Sequence, residues 1–164
     1  MSEYRIGIEG SLKPVALEFF ATFSRFEFAL KRGGYVRGTA GDRASPNWIQ
    51  FASDLGNDFF TSMKEAEAAK IFFEAPPKRL TVKQDGGVEF TEQAALANTQ
   101  MLLEAIGLVR NNLFHGEKAW IGERDERLLR ASLFVLDSAF SAAQQRNDMR
   151  AVCDAFRHAS INPH

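Results

Sequence analysis

Arg110 and His115 are separated by four residues at the end of an apolar run, in the stretch LVRNNLFHGEK. A histidine with a pKa near ~6.5 can take a proton from a hydroxyl at neutral pH. The guanidinium of an arginine matches phosphate oxygens and stabilises charge that develops in a transition state. Asn111, beside the arginine, offers an amide that can orient the phosphate or the imidazole. These side chains suit chemistry at a phosphate, with His115 as the base that takes a proton from an attacking hydroxyl.

The spacing alone also fits a simpler interpretation, in which basic side chains at the C-terminal end of a helix offset its dipole. A short motif of this kind also occurs by chance. Five positions turn a helix by about 500°, so Arg110 and His115 would point ~140° apart on an unbroken helix. Either the helix breaks between them, or a second copy completes the site near a two-fold axis.

Four further residues are weaker candidates for contact with the phosphate-bearing ligand. Lys118 and Arg124 follow the motif and would hold flanking phosphates. Arg25 and Glu27 interrupt a phenylalanine-rich run, where they either reach the site or form its solvated face. The net charge of −1 argues against a protein that coats nucleic acid through bulk charge, but it leaves room for a local basic site.

No metal ion and no cofactor are expected, because the three histidines, His115, His158 and His164, have no paired spacing. The single cysteine, Cys153, lies in an amphipathic run and is interpreted as a buried structural thiol. One cysteine excludes an intrachain disulfide, which suits a reducing compartment. The first residues do not resemble a signal peptide and no apolar run is long enough to span a bilayer, so we expect a cytoplasmic protein with no membrane partner.

The pattern predicts one domain over 1–164 that is mainly all-α, a helical bundle with a small β-hairpin insertion. Helical spacing places Phe19, Phe23, Phe26 and Leu30 on one face of a first helix that Gly33 and Gly34 end, with Ser11 as a possible cap. A loop follows over 34–47. Further helices are predicted from 48, over 57–75, over 91–116 with Thr91 as cap and Gly116 as stop, over 125–145 and over 147–158.

Between the third and fourth of these helices, RLTVKQDGGVEFTE alternates apolar and polar residues around Asp85-Gly86-Gly87, which predicts a β-hairpin. An isolated hairpin is marginal in water, so this one should lean on the helices or on a second subunit. Lys78, Arg79 and Lys83 protect its edges or, alternatively, contact RNA.

The stretch VRNNLFHG resembles the R-x4-6-H motif of the HEPN superfamily (higher eukaryotes and prokaryotes nucleotide-binding). The aromatic run FFATFSRFEFALK is similar to helices in HEPN families of prokaryotic defence systems and plasmids. The resemblance implies a single HEPN-like domain, a homodimer, and a metal-independent endoribonuclease with Arg110, Asn111 and His115 as catalytic residues. It further implies a role as a toxin or defence effector, with an antitoxin or defence-system partner.

Two positions depart from the family pattern. Glu117 stands where one toxin group has a tyrosine that its antitoxin modifies, so that regulation is not carried over. Ile106 stands where some members have an acidic residue, and Glu27, Glu104 or Glu117 would have to replace its carboxylate. The alternative to a ribonuclease is a non-catalytic HEPN-like module that binds a nucleotide or a partner protein.

Overall fold

A computed structural model describes residues 13–114 and 121–158, without the side chain of Phe114. Six α-helices form the frame of this described part, as the mainly all-α prediction requires. They are α1 Pro14–Arg32, α2 Trp48–Glu65, α3 Ile71–Glu74, α4 Thr99–Phe114, α5 Glu123–Gln144 and α6 Arg150–His158. The predicted cap Ser11 and the predicted stop Gly116 lie outside the described residues.

Helix α1 supplies one wall of the core. Pro14 occupies its first turn, and the predicted face of Phe19, Phe23, Phe26 and Leu30 is buried. The helix ends at Arg32 and packs against α5 and α6. Gly33 follows, and α6 approaches so closely that a Cβ at this glycine would stand 2.6 Å from the Cα of Val152.

Helix α2 covers the helix predicted from 48 and the first part of the helix predicted over 57–75, because the chain continues through a kink at Gly56. Gly56 has φ of 78°, a left-handed conformation that glycine adopts without a steric penalty. Thr99, buried at the start of α4, donates its hydroxyl hydrogen to the Gly56 carbonyl over 2.6 Å. The prediction of one helix over 57–75 is wrong, because α2 ends before the extended Ala66 and is followed by a 3₁₀ turn, Glu67–Ala69, and by α3.

The predicted helix start at Thr91 is also wrong. Thr91 ends a β-strand, pairs with Arg79 and donates its hydroxyl hydrogen to the Arg79 carbonyl. The cap is Asn98, whose side-chain oxygen accepts from the Met101 amide over 2.9 Å. Asparagine is a preferred N-cap, and α4 therefore begins at Thr99.

The predicted hairpin is confirmed as β3 Arg79–Val82 paired with β4 Val88–Thr91, and Gly86 in its turn has φ of 84°. Leu80 faces Phe90 and Val82 faces Val88 in register, so one side of the hairpin is apolar. The predicted loop over 34–47 contains a second, shorter ladder in which β1 Val36–Arg37 pairs with β2 Ser45–Pro46.

The core lies between α1, α2, α4 and α5, with α2 packed along α4 and α5 central. Its largest side chains with under 2% exposure include Phe19, Phe26, Phe51, Phe72 and Leu102. Among the described residues, no helix has the length and apolar character required to cross a membrane.

Candidate functional site

The C-terminal part of α4 carries the first residues of the motif. Ile106 and Val109 are buried in the core, and Arg110 and Asn111, next along the helix, are half-buried. Ile106 has no exposed surface, so its position faces the core and not the solvent.

Arg110 lies over an aromatic platform. Its guanidinium carbon is 5.9 Å from the centroid of the Phe23 ring on α1. The Phe23 ring in turn stacks on Trp48 of α2, with centroids 5.4 Å apart and an angle of 24° between the planes. A guanidinium above an aromatic face is attracted by the ring quadrupole, which limits the conformations available to the side chain. Three helices therefore position this one arginine.

Asn111 contacts the same guanidinium. Arg110 Nη1 donates a hydrogen bond to Asn111 Oδ1 over 3.1 Å. The asparagine therefore contacts the arginine, whereas its predicted orientation of the phosphate or the imidazole stays a prediction.

His115 lies outside the described residues, as do Lys118 and Glu117. The geometry of the proposed base, and whether Arg110 and His115 meet within one copy or across two, stay predictions. The same holds for the contact of Lys118 with RNA.

Glu27 and Arg25 lie on different sides of α1. Glu27 is half-buried and lies one helical turn after Phe23, on the side of α1 that carries Arg110. Arg25 is exposed and its guanidinium carbon is 5.5 Å from the Phe156 ring on α6. Around the axis of α1, Glu27 is rotated from Phe23 by about 40° and Arg25 by ~200°. Glu27 therefore lies on the side of α1 that faces the motif, and Arg25 lies on the opposite side.

The other candidate carboxylate, Glu104, is exposed and accepts a hydrogen bond from Gln100 over 2.8 Å. It lies about 120° around α4 from Arg110, so it belongs to another face of that helix. Glu27 is thus the better-placed replacement for an acidic residue at position 106.

Arg124 is exposed and braces the chain through one of its nitrogens, and its contact with a phosphate stays a prediction. Its Nη2 donates to the carbonyl oxygens of Ala75 and Pro76, over 3.1 and 2.9 Å. These carbonyls precede the hairpin, so Arg124 ties the start of α5 to the hairpin base. Asn112 is not among the candidate residues predicted from the sequence. It ties α4 to the hairpin base in the same way, because its Nδ2 donates to the Lys78 carbonyl over 2.9 Å.

Lys78 itself forms an ion pair with Glu92 over 2.6 Å across the hairpin base, whereas Arg79 and Lys83 are exposed. Cys153 is buried as predicted, and burial raises the pKa of its thiol above the usual range. Within 13–114 and 121–158 there is no cluster of three His, Cys, Asp or Glu residues able to hold a metal ion.

Comparison with known proteins finds no matching family model, no matching curated protein and no matching solved structure.

Proposed function

We propose that the protein is a metal-independent endoribonuclease of the HEPN type. The observation that supports this best is the placement of Arg110 by Phe23 and Asn111 on the turn of α4 that directly precedes the proposed base. An arginine already held in one region has less conformational freedom to lose when it binds a phosphate.

In the proposed reaction, His115 takes the proton of a 2′-hydroxyl as its oxygen attacks the adjacent phosphorus. The phosphorus–O5′ bond breaks, and the leaving oxygen takes up a proton from an acid, which is a second histidine in a paired site or water. The products are a 2′,3′-cyclic phosphate and a 5′-hydroxyl. Arg110 stabilises the charge on the non-bridging oxygens in the pentacoordinate transition state, and Asn111 keeps the guanidinium in position.

The proposal includes a homodimer in which the C-terminal ends of the two α4 helices lie near the two-fold axis. It rests on the ~140° that separates Arg110 from His115 on a continuous helix, because side chains this far apart do not converge on one phosphate within a copy. A second copy related by two-fold symmetry brings an arginine and a histidine together from different chains.

Cleavage of single-stranded RNA in the presence of EDTA tests the proposal. A DNA of the same sequence is the matched control, because it lacks the 2′-hydroxyl and must stay intact. The 3′ ends of the RNA products should be cyclic phosphates. Intact RNA after prolonged incubation, or products with a 3′-hydroxyl, would exclude this chemistry.

A toxin or defence function is the biological part of the proposal and rests on the family resemblance. Production of the chain should then arrest the growth of the producing cell, and the Arg110→Ala variant should not. The partner expected in that case is an antitoxin or another component of a defence system.

A further inference from the structure

A cavity of about 220 Å³ lies between the hairpin, α4 and α5. Its apolar wall consists of Pro77, Phe90 of β4, Val109 and Leu113 of α4, and Leu128 of α5. Phe90 is 36% exposed, so part of its ring is available to another molecule. An apolar recess with one partly exposed aromatic ring is suited to a flat, hydrophobic group.

The polar part of the wall combines hydrogen-bond acceptors with two cationic side chains. Asn112 donates through Nδ2 to the Lys78 carbonyl, and a carbonyl only accepts, so the amide cannot be reversed. Its Oδ1 accepts no hydrogen bond from the described residues and remains an acceptor at the cavity. Asp125 belongs to the same wall, and its Oδ2 accepts from the Gly122 amide over 3.4 Å. Two cationic side chains complete it: Lys78, which pairs with Glu92, and Arg124, which is held by two backbone carbonyls.

We propose that this cavity binds one unpaired nucleobase of the RNA substrate, and that it prefers a base with an exocyclic amino group, an inference that rests on the proposed ribonuclease function. The base stacks on Phe90, as bases do on exposed aromatic side chains in single-strand binding proteins. Its amino group donates to Asn112 Oδ1 and to the Asp125 carboxylate. Adenine, cytosine and guanine carry such a group with two hydrogens for the two acceptors, whereas uracil has no exocyclic amino group and offers only its single N3–H.

The position of the cavity relative to Arg110 identifies which nucleotide it receives. Three α4 residues line the cavity: Val109, Asn112 and Leu113. Around the helix axis they are rotated from Arg110 by about 60–160° in one sense, so the cavity opens beside the side of α4 that faces Phe23. A base in the cavity therefore belongs to a nucleotide beside the cleaved phosphodiester, and the strand passes the C-terminal end of α4. The cavity makes cleavage depend on the identity of a flanking base.

An inserted apolar side chain of a partner protein fits the polar wall less well. It would cover Phe90 and Leu113, but it would bury the Asn112 oxygen without a donor, which costs free energy. A base that carries an amino group covers the same apolar surface and supplies the donor.

Binding of the four ribonucleosides to the full chain, followed by ¹H–¹⁵N NMR, tests the inference. Adenosine, cytidine and guanosine at millimolar concentration should shift the side-chain amide of Asn112 and the backbone amides of Phe90 and Leu113, and uridine should shift them least. Phe90→Ala should weaken binding by roughly tenfold or more, the usual loss when a stacking ring is removed. Val82→Ala is the matched control, because Val82 lies on the same side of the hairpin, is 76% exposed and is outside the cavity.

Three outcomes overturn the inference: no shift with any nucleoside, equal shifts with uridine, or equal weakening by Phe90→Ala and Val82→Ala. Phe90→Leu, which keeps apolar bulk but removes the ring, replaces Phe90→Ala if that variant loses the hairpin amide signals. Nucleoside binding requires no cleavage, so the two proposals can fail separately. Binding without ribonuclease activity would contradict the proposed function and support the base site. Cleavage without nucleoside binding would contradict the base site and support the ribonuclease function.

Discussion

The guanidinium carbon of Arg110 lies 5.9 Å from the centroid of the Phe23 ring, so a side chain of α1 positions the motif arginine of α4. The two residues are far apart in sequence, and their contact joins a core position to the candidate site. Phe23 is 5% exposed and packs on Trp48, which makes the platform part of the core.

Phe23→Leu should therefore lower ribonuclease activity while leaving most of the apolar packing in place. A cation–π contact contributes ~0.5–2 kcal/mol, which corresponds to about a 2–30-fold loss in rate if the contact is fully used in the transition state. Phe19→Leu is the control, because Phe19 is one turn earlier on the same buried face. Rates of RNA cleavage and melting temperatures of both variants should be compared. Equal loss of activity in the two variants would show that Phe23 acts only through the core.

Tyr35 gives the fold a specific sensitivity to alkaline pH. Its hydroxyl donates to Asp54 Oδ2 over 2.7 Å, and burial together with that carboxylate raises the pKa of Tyr35 well above its usual range. An unfolded tyrosine loses its proton near pH ~10. Above that pH the folded state still holds a proton that the unfolded chain has released, so the free energy of unfolding falls as pH rises.

Tyr35→Phe should reduce this alkaline slope while lowering stability by ~1–3 kcal/mol at pH 7, because Asp54 loses a buried donor. Urea denaturation of both proteins between pH 8 and pH 11 measures the two effects. Identical slopes in the two proteins would mean that the proton on Tyr35 makes no contribution to alkaline unfolding.

Two glycines in α-helical surroundings should respond to alanine in opposite directions. Gly33→Ala places a Cβ 2.6 Å from the Val152 Cα, and overpacking of this kind costs about 1–3 kcal/mol. Gly107→Ala meets nothing within 4 Å inside α4, and alanine in a helix interior is favoured over glycine by ~1 kcal/mol. Denaturant unfolding of both variants checks the pair. A stable Gly33→Ala protein would mean that α1 and α6 separate at little cost.

Much of the fold was predictable because its signals are local. The face of Phe19, Phe23, Phe26 and Leu30 follows the helical period, and the hairpin follows strand alternation around Asp85-Gly86-Gly87. The errors have non-local causes. Thr91 precedes a helix-forming run, which predicts a cap, but pairing with Arg79 places it in a strand and the cap is Asn98.

The candidate site was predictable only in its residue types. The sequence identified Arg110, Asn111 and His115 from their spacing, but it could not predict the contact of Arg110 with Phe23, which depends on how α1 packs near α4. The charge of Arg124 predicts a phosphate ligand, but the hydrogen bonds of its Nη2 to two backbone carbonyls could not be predicted, because they depend on how the hairpin base packs against α5. One sequence feature pointed to Asn112, because asparagine is a poor helix former and two of them stand side by side here. Its hydrogen bond to the Lys78 carbonyl explains why an asparagine occupies this position.

Mixing two inactive variants tests whether the site is shared between copies. If Arg110 of one copy acts with His115 of the other, a mixed dimer of Arg110→Ala and His115→Ala chains contains one complete site. Activity should then reappear when the two proteins are unfolded together and refolded. If each site lies within one chain, because the helix breaks between the two residues, no mixture restores activity. Light scattering that shows a monomer at micromolar concentration would also exclude the shared site.

The rate of RNA cleavage by the His115→Ala protein in EDTA tests the central claim most directly. His115→Ala should lower the rate by ~10²–10⁴-fold, the usual contribution of a positioned proton-transfer group. Arg110→Ala should lower it by about 10²–10³-fold through lost transition-state stabilisation. His158→Ala, at the exposed end of α6, should keep the wild-type rate and controls for histidine replacement in general. Circular dichroism establishes that each variant is folded, and a folded His115→Ala protein that cleaves RNA at the wild-type rate would contradict the account.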